Sequence, residues 1–345
     1  MQEIPLGDVK SMNTTDFEDL PSTVRLDVSG INLHNGRLLL FVFTAIMLIS
    51  MFLNSGVMAA CFYRRFNSPM LLYIALASIA DTSWGIVGIS SLVNSVIVSR
   101  KEISFSECLL QLFCLHFSNF QQSLTMLLMY VDRHWAIFHP YSYLALITNK
   151  GGALKLAIIV WTIGLMLSIS FVAVVTKLVF CNITVVIPDA ICAISTVVKS
   201  SCGNSDFPNM YSISVLYLVF GMMGFTAMYS TWCIIRKCRK STEEANIKAL
   251  HTCFTQLFVC LAQFSSLVII TVFTRFVKNP RVGFLMELIG VTTPAFINPL
   301  IFGFRIQEVR LSLLIIYQKL RLTGKKGHKM SEPPLFLVSG SRRFV

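Results

Sequence analysis

The chain has 345 residues, of which 54% are apolar and only 13% are charged. Soluble domains carry about 25% charged residues, so this composition nearly excludes a soluble enzyme. With 18 glycines and 11 prolines, it also excludes a collagen, a disordered chain and a small disulfide scaffold. A net charge of +12 would suit a nucleic-acid partner, but the basic residues avoid the apolar runs.

Seven long apolar runs predict seven membrane-spanning helices, because each is long enough to cross a hydrocarbon core of about 30 Å. In chain order they occupy residues 38–63, 69–98, 108–137, 153–178, 209–235, 249–277 and 282–304. A basic amphipathic stretch follows at 305–320, with the spacing of a helix that lies in the membrane interface. We therefore predict an all-α membrane protein, a seven-transmembrane helix bundle with a short amphipathic eighth helix.

The distribution of Lys and Arg predicts the orientation of this bundle. If the amino terminus lies outside, 19 of the 29 basic residues fall on the inner side, where positive loops are retained. We expect an extracellular tail over residues 1–36, the membrane domain over 37–304, the amphipathic helix over 305–320 and a cytoplasmic tail over 321–345. The net charge then reflects topology in a multi-pass protein of the plasma membrane. Its expected surroundings are membrane lipids, and no nucleic-acid partner is expected.

Two glycosylation sequons and four cysteines fall on the predicted outer side. The sequons begin at Asn13, in the tail, and at Asn182, in the long loop after the fourth run. The four cysteines lie at the outer end of the third run or in that loop: Cys108, Cys181, Cys192 and Cys202. Because the outer compartment is oxidising, two disulfides are expected among three pairings. No cysteine spacing predicts a metal site, and the remaining cysteines are expected to be reduced.

The inner end of the third run carries Asp132-Arg133-His134, followed by Ala-Ile-Phe-His-Pro at 136–140. A charge at the cytoplasmic face is costly without a partner, so Asp132 and Arg133 are expected to pair. Lys-Ala-Leu-His-Thr-Cys at 248–253 and Asn-Pro-Leu-Ile-Phe at 298–302 follow in order. With these motifs the chain resembles the rhodopsin-like (class A) G-protein-coupled receptors, and specifically the odorant receptors of the fish type. The resemblance covers about residues 38–318.

The resemblance implies a receptor that binds a small extracellular odorant and activates a heterotrimeric G protein. The implied G protein is the stimulatory olfactory type, which raises cyclic AMP, in the cilia of olfactory sensory neurons. It also implies disulfides between Cys108 and Cys192 and between Cys181 and Cys202. In the active state Arg133 is expected to leave Asp132 and turn toward Tyr229 and the G protein.

The seventh run is also implied in activation, through Asn298, Pro299 and Phe302. The family has Tyr where this chain has His134 and Phe302, so two hydroxyl contacts of the active state are missing. By resemblance, Asp81 faces Asn54 and Asn298 in a polar cluster that can hold a sodium ion. A neutral or water-bonded Asp81 that ties three helices together is the alternative, and it gains weight from Gln122, which stands where related receptors often have an acid.

The ligand cavity is expected in the outer half of the bundle, between the third, fifth, sixth and seventh helices. Four candidates recur at helical spacing on the third run, and the others lie on the fifth and sixth: His116, Asn119, Phe120, Ser123, Ser214, Tyr217, Phe264, Leu267, Val268 and Thr271. Ordinary packing is the alternative for each. Glu287 could pair with a cationic ligand group or with nearby Arg275 or Lys278. Leu115 stands where aminergic receptors carry their amine-binding acid, so a biogenic-amine receptor is disfavoured.

No motif predicts an enzyme, a catalytic residue or a cofactor, since there are no poised carboxylate pairs, nucleophile elbows or phosphate-binding glycine loops. Two other classes stay open. A transporter or ligand-gated channel is disfavoured because the sequence shows no internal repeat and an odd number of crossings. A class A receptor for another small molecule, a lipid or a peptide is disfavoured by the short tail and the odorant-type motifs.

Overall fold

A computed structural model describes residues 21–26, 33–92, 102–148, 151–187, 191–238, 254, 257–266, 268–269 and 280–325. These residues are mainly helical, as predicted. The helices are α1 Leu33–Tyr63, α2 Pro69–Leu92, α3 Phe105–Phe138, α4 Pro140–Tyr143, α5 Gly152–Val175, α6 Ile194–Lys199, α7 Asp206–Cys238, α8 Leu257–Ser266, α9 Pro280–Arg305 and α10 Gln307–Lys325. A π-helical turn, Leu144–Thr148, continues α4, and the strands are β1 Thr23–Leu26, β2 Glu102–Ser104 and β3 Thr184–Ile187.

Four segments are long and apolar enough to cross a membrane, and they belong to α1, α2, α5 and α7: Phe41–Tyr63, Pro69–Ser90, Gly152–Val175 and Asp206–Lys237. Their outer surfaces carry large apolar side chains such as Phe52 and Phe225, which are 78% and 73% exposed. Exposed apolar surface on this scale is unfavourable in water and suits contact with lipid. These helices are therefore built for a bilayer.

The central helix is α3, which packs against α2, α5 and α7. It begins with a capping box, in which the Glu107 amide donates to Ser104 Oγ at 3.2 Å and the Ser104 amide donates to Glu107 Oε2 at 3.0 Å. Its buried residues include Gln121, Gln122 and Ser123. Because the central helix faces protein on most sides, it carries polar side chains that a lipid-facing helix could not.

Several boundaries differ from the predicted ones. The predicted tail, 1–36, contains a strand, and α1 already begins at Leu33. Helix α10 extends to Lys325, beyond the predicted end of the amphipathic helix at 320. Within the sixth predicted run, 249–277, the structure describes only residue 254, helix α8 at 257–266 and residues 268–269. The strand was missed because a four-residue strand gives almost no periodic pattern.

A three-stranded sheet joins segments that are far apart in the chain. Strand β1 is its centre, antiparallel to β2 and parallel to β3. In register, Val24 lies opposite Ile103 on one side and Val185 on the other, and all three side chains are buried. The sheet therefore presents an apolar face to the protein interior.

Two disulfides fix the segment between α5 and α7, called here the disulfide loop. Cys108, in the first turn of α3, is bonded to Cys192, with the Cα atoms 5.4 Å apart. Cys181 is bonded to Cys202, with the Cα atoms 5.7 Å apart. These are the two pairs that the resemblance implies. Since β3 lies between Cys181 and Cys192, the bonds hold this strand at the amino-terminal end of α3.

Candidate functional site

Pro294 leaves a backbone carbonyl in the middle of α9 without its helical partner. Proline has no N–H, so the carbonyl of Gly290, four residues earlier, receives no hydrogen bond within the helix. The hydroxyl of Ser266, on α8, donates to this carbonyl. Ser266 is buried, so this hydrogen bond joins α8 to α9 within the protein interior.

Pro299 has the same effect one turn further along α9, where it frees the carbonyl of Ala295. Ser50 Oγ, on α1, donates to this oxygen at 2.5 Å, and Asn54 Nδ2 donates to it at 3.2 Å. The two prolines of α9 are thus matched by polar side chains on two neighbouring helices. This pairing explains why α1 carries buried Ser50 and Asn54 in an otherwise apolar span.

Asp81, on α2, bonds directly to α9. Asn298 Nδ2 donates to Asp81 Oδ2 at 2.9 Å, and both side chains are buried. Asn54 bonds to the Ala295 carbonyl, and no hydrogen bond joins it to Asp81 among the described residues. The predicted cluster of Asn54, Asp81 and Asn298 is thus brought together through the backbone of α9. Within the same described part of the chain, the Oδ1 atoms of both asparagines have no hydrogen-bond partner.

A cavity of about 30 Å³ lies beside Asp81, between α2, α3, α8 and α9. It is lined by Ala80, Asp81, Trp84, Ser118, Asn119, Gln122, Gln263, Ser266, Gly290, Pro294 and Ala295. Within the described residues, Ser118 Oγ, Gln263 Oε1 and both amide atoms of Gln122 lack hydrogen-bond partners. A water molecule needs at least about 10–15 Å³, so the cavity has room for about two small polar molecules. Its lining needs such partners, because an unpaired buried polar atom costs about 1–3 kcal/mol.

The four candidates on α3 do not all face this cavity. Asn119 lines it, whereas His116 and Phe120 turn toward α5 and lie with their ring centroids 4.6 Å and 5.3 Å from that of Phe171. Ser123 is buried and donates to the Asn119 carbonyl at 2.8 Å. His116 Nδ1 has no hydrogen-bond partner in the described structure. The shared face predicted from helical spacing is therefore divided between two neighbouring environments.

The candidates on α7 and α8 lie away from the cavity. Ser214 is exposed, Tyr217 is 51% exposed, and Phe264 and Val268 are 41% and 37% exposed. Helix α8 instead presents Gln263 and Ser266 to the cavity, one residue before and two after the predicted Phe264. Leu267, Thr271, Arg275 and Lys278 lie outside the described residues, and for Glu287 only its place in α9 is described.

At the other end of α3, both Asp132 and Arg133 lie within the described residues, and the ion pair expected between them is not formed there. The hydroxyl of Tyr143, on α4, donates to Asp132 Oδ1 at 3.0 Å. The Arg133 guanidinium donates to the sulfur of Met70 on α2. Burial, followed by the charge of Asp132, raises the pKa of Tyr143 above its ordinary value, so the phenol stays protonated and remains a donor. The correction arises because α4 folds back and competes for the carboxylate.

Other residues that the resemblance implies in activation are His134, Tyr229 and Phe302. The His134 ring stacks on Phe138, with centroids 4.6 Å apart, and lies 5.6 Å from the Tyr229 ring. Phe302 is fully buried in an apolar cluster, where a hydroxyl would need a partner. Lys237, at the end of α7, donates to the carbonyl of Ile137 at 2.5 Å. This lysine bonds to one of the carbonyls that the end of α3 leaves free.

The sequence analysis missed five polar residues of this interior: Ser50, Ser118, Gln122 as a cavity residue, Gln263 and Ser266. The two serines that bond to α9 carry a usable pattern, since each proline within a helix exposes the carbonyl four residues earlier. A buried hydroxyl on a neighbouring span is the natural donor for it. The two glutamines gave a weaker indication of the cavity. A polar residue within an apolar run is expected to face the protein interior, but the sequence does not show which helix it faces.

Comparison with known proteins gives a consistent result. A sequence model of the olfactory receptor family matches residues 43–319, which is well over half of the chain. Human olfactory receptor 51I1 is 25% identical over 283 residues, which cover 81% of this chain and 89% of that protein. Human olfactory receptor 52K1 is 26% identical over 257 residues, covering 73% of this chain and 81% of that protein.

Proposed function

This chain belongs to the olfactory receptor family, and from that premise we propose how it binds an odorant and signals. It is a multi-pass membrane protein and a G-protein-coupled odorant receptor, not an enzyme. The proposal is that an odorant binds in the outer half of a seven-helix bundle and that the receptor activates the stimulatory olfactory G protein. The family match over residues 43–319, which includes at least part of every proposed membrane helix, is the observation that carries it.

The proposed bundle consists of α1, α2, α3, α5, α7, α8 and α9, with α10 lying in the membrane interface. The disulfide loop then faces the oxidising exterior of the plasma membrane, a placement that its two disulfides support. The amino-terminal strand pairs with β3 of this loop, which supports an amino terminus on the same side. Asn182 is exposed on that side, so we propose glycosylation there as well as at Asn13.

The odorant is proposed to bind beside Asn119, where the polar cavity adjoins the apolar cluster around Phe120 and Phe171. This arrangement offers hydrogen-bonding groups on one side and apolar side chains on the other, which suits a small amphiphilic molecule. A volume of about 30 Å³ is smaller than an odorant of several heavy atoms. Binding in this cavity is proposed to move α8 or α9 away from α3, and this motion is proposed to link the ligand to the cytoplasmic end.

Asp81 and Asn298 are proposed as the polar link between α2 and α9 during this motion. The unpaired Oδ1 atoms of Asn54 and Asn298 and the Asp81 carboxylate are oxygen ligands, which suit a sodium ion. These residues would hold such an ion, which would supply a positive charge to the buried carboxylate. Gln122 lines the cavity but adds no second negative charge. A water molecule bonded to Asp81 is therefore the alternative to sodium, as in the sequence analysis.

The cytoplasmic step is proposed to depend on Arg133. Its guanidinium is already separated from Asp132, whose carboxylate is bonded to Tyr143. A shift of Arg133 toward Tyr229 is proposed to break its contact with Met70. An agonist can favour this arrangement only by its difference in affinity for the two states.

The function is tested in cells that express the full chain with a stimulatory olfactory G protein. Amino acids, bile salts, amines and steroids are applied while cyclic AMP and membrane current are recorded together. We expect at least one class to raise cyclic AMP, and an Arg133→Ala variant at equal surface expression to abolish the rise. A ligand-evoked current without cyclic AMP would instead indicate a channel. Loss of surface expression in Cys108→Ser would support the disulfide-stabilised outer end.

A further inference from the structure

The amino-terminal segment lies in the middle of the outer sheet and is not a free tail. Strand β1 is paired along both edges, with the Ser22 and Thr23 amides donating to the Ile183 carbonyl at 3.1 Å and 3.4 Å. On the opposite side, the Phe105 amide donates to the Ser22 carbonyl at 3.2 Å. A central strand has no free edge, so removing it would leave both neighbouring strands without partners.

The side chains of β1 alternate between the protein and the solvent. Val24 is fully buried and Leu26 is 2% exposed, whereas Arg25, between them, is exposed. The two buried residues belong to the same apolar cluster as Phe120 of α3 and Phe171 of α5. The segment thus packs, through this cluster, on the region proposed to bind the odorant.

Polar side chains fix the register of the strand on both edges. Arg25 Nη2 lies 2.6 Å from Glu102 Oε1 on β2. Thr23 Oγ1 lies 2.9 Å from Thr184 Oγ1 on β3, within the disulfide loop. A slip of one residue would break both contacts and turn the buried side chains to the solvent.

We propose that residues 21–26 are a built part of the odorant-binding end, in which they position the disulfide loop over α3. The inference rests on the proposed function for the orientation of this end toward the exterior. It assigns the amino-terminal segment the role of a positioning element for the ligand region. Neither the family assignment nor the disulfides require such a role, since both would be satisfied by an unattached tail.

A cysteine scan of the full-length receptor tests the packing of the strand. Ser22→Cys, Val24→Cys, Arg25→Cys and Leu26→Cys are labelled on intact cells with a membrane-impermeant maleimide, with the unmodified receptor as blank. We expect positions 22 and 25 to react at least about ten-fold faster than positions 24 and 26, because the latter react only after local opening. Surface staining confirms that each variant is delivered.

The outcomes separate this inference from the proposed orientation. Equal labelling of all four positions on intact cells would refute the strand and leave the orientation standing. If positions 22 and 25 react fast and positions 24 and 26 slowly only after the membrane is permeabilised, the orientation is refuted and the strand stands. Equal labelling of the four positions in permeabilised cells as well would refute the strand regardless of topology.

A charge reversal tests the register while keeping the chain folded. In the Val24→Cys background, Arg25→Glu places two carboxylates side by side and is expected to speed labelling about two- to five-fold. Adding Glu102→Arg restores an opposite pair and should restore the slow rate. If the second reversal leaves labelling fast, the pairing of β1 with β2 is wrong. Arg25→Gln is the control that removes the ion pair without repulsion.

Discussion

Replacing Ser266 by Ala should destabilise the receptor because it removes the side-chain donor for a carbonyl that has no donor within its own helix. The Gly290 carbonyl cannot be satisfied within α9, since residue 294 is proline. An unpaired buried carbonyl costs about 1–3 kcal/mol, whereas side-chain hydrogen bonds in membrane proteins average about 0.6 kcal/mol and reach about 1.7. The average includes carbonyls that find another donor. Gly290 lines the polar cavity, where a water molecule can replace the lost donor, so the expected loss is about 0.6–1.7 kcal/mol.

This loss should lower the midpoint of thermal unfolding by roughly 2–4 °C, measured on detergent-solubilised receptor by fluorescence-detected size-exclusion chromatography. Ser265→Ala is the matched control, because the Ser265 hydroxyl is exposed and donates only to Ala262 within its own helix. Pro294→Ala returns an N–H to α9, so Ser266→Ala should cost less than half as much in that background. An equal cost in both backgrounds, or equal effects of the two serine variants, would refute the reasoning.

Two further substitutions test other contacts. Gly164→Ala should reduce the free energy of unfolding by about 1–3 kcal/mol and so lower the same midpoint. The added Cβ would lie 2.9 Å from the Gln121 amide nitrogen, which donates to the Trp161 carbonyl. Tyr143→Phe should lower basal and ligand-stimulated cyclic AMP about five-fold at equal surface expression. Loss of a hydrogen bond of about 1 kcal/mol frees Asp132 to pair with Arg133 and favours the resting state.

Each substitution has a matched control. Gly221→Ala adds a Cβ in α7 that meets nothing within 4 Å, so it should leave the unfolding midpoint unchanged or raise it slightly. Tyr141→Phe removes a hydroxyl from a side chain that is 88% exposed and should leave cyclic AMP unchanged. A fall for Gly221→Ala as large as that for Gly164→Ala would contradict the packing argument. A rise in basal cyclic AMP for Tyr143→Phe would contradict the proposed competition for the carboxylate.

The sequence alone predicted the helices that face lipid. Helices α1, α2, α5 and α7 follow from apolar runs, because contact with hydrocarbon requires continuous apolar surface and satisfied backbone hydrogen bonds. The family also followed from the sequence, since the motif at Asp132 and those after it stand in a fixed order along the chain. These properties depend on local composition and spacing, which need no knowledge of neighbouring helices.

The rotation of each helix and the choice of partner were decided by the tertiary structure. Helix α8 presents Gln263 and Ser266 to the cavity instead of Phe264, because the freed carbonyl in α9 selects a hydroxyl donor. Asp132 bonds to Tyr143 because α4 returns to the end of α3. A linear pattern shows which residues are polar, but contacts between distant segments depend on how the helices and the sheet are packed in three dimensions.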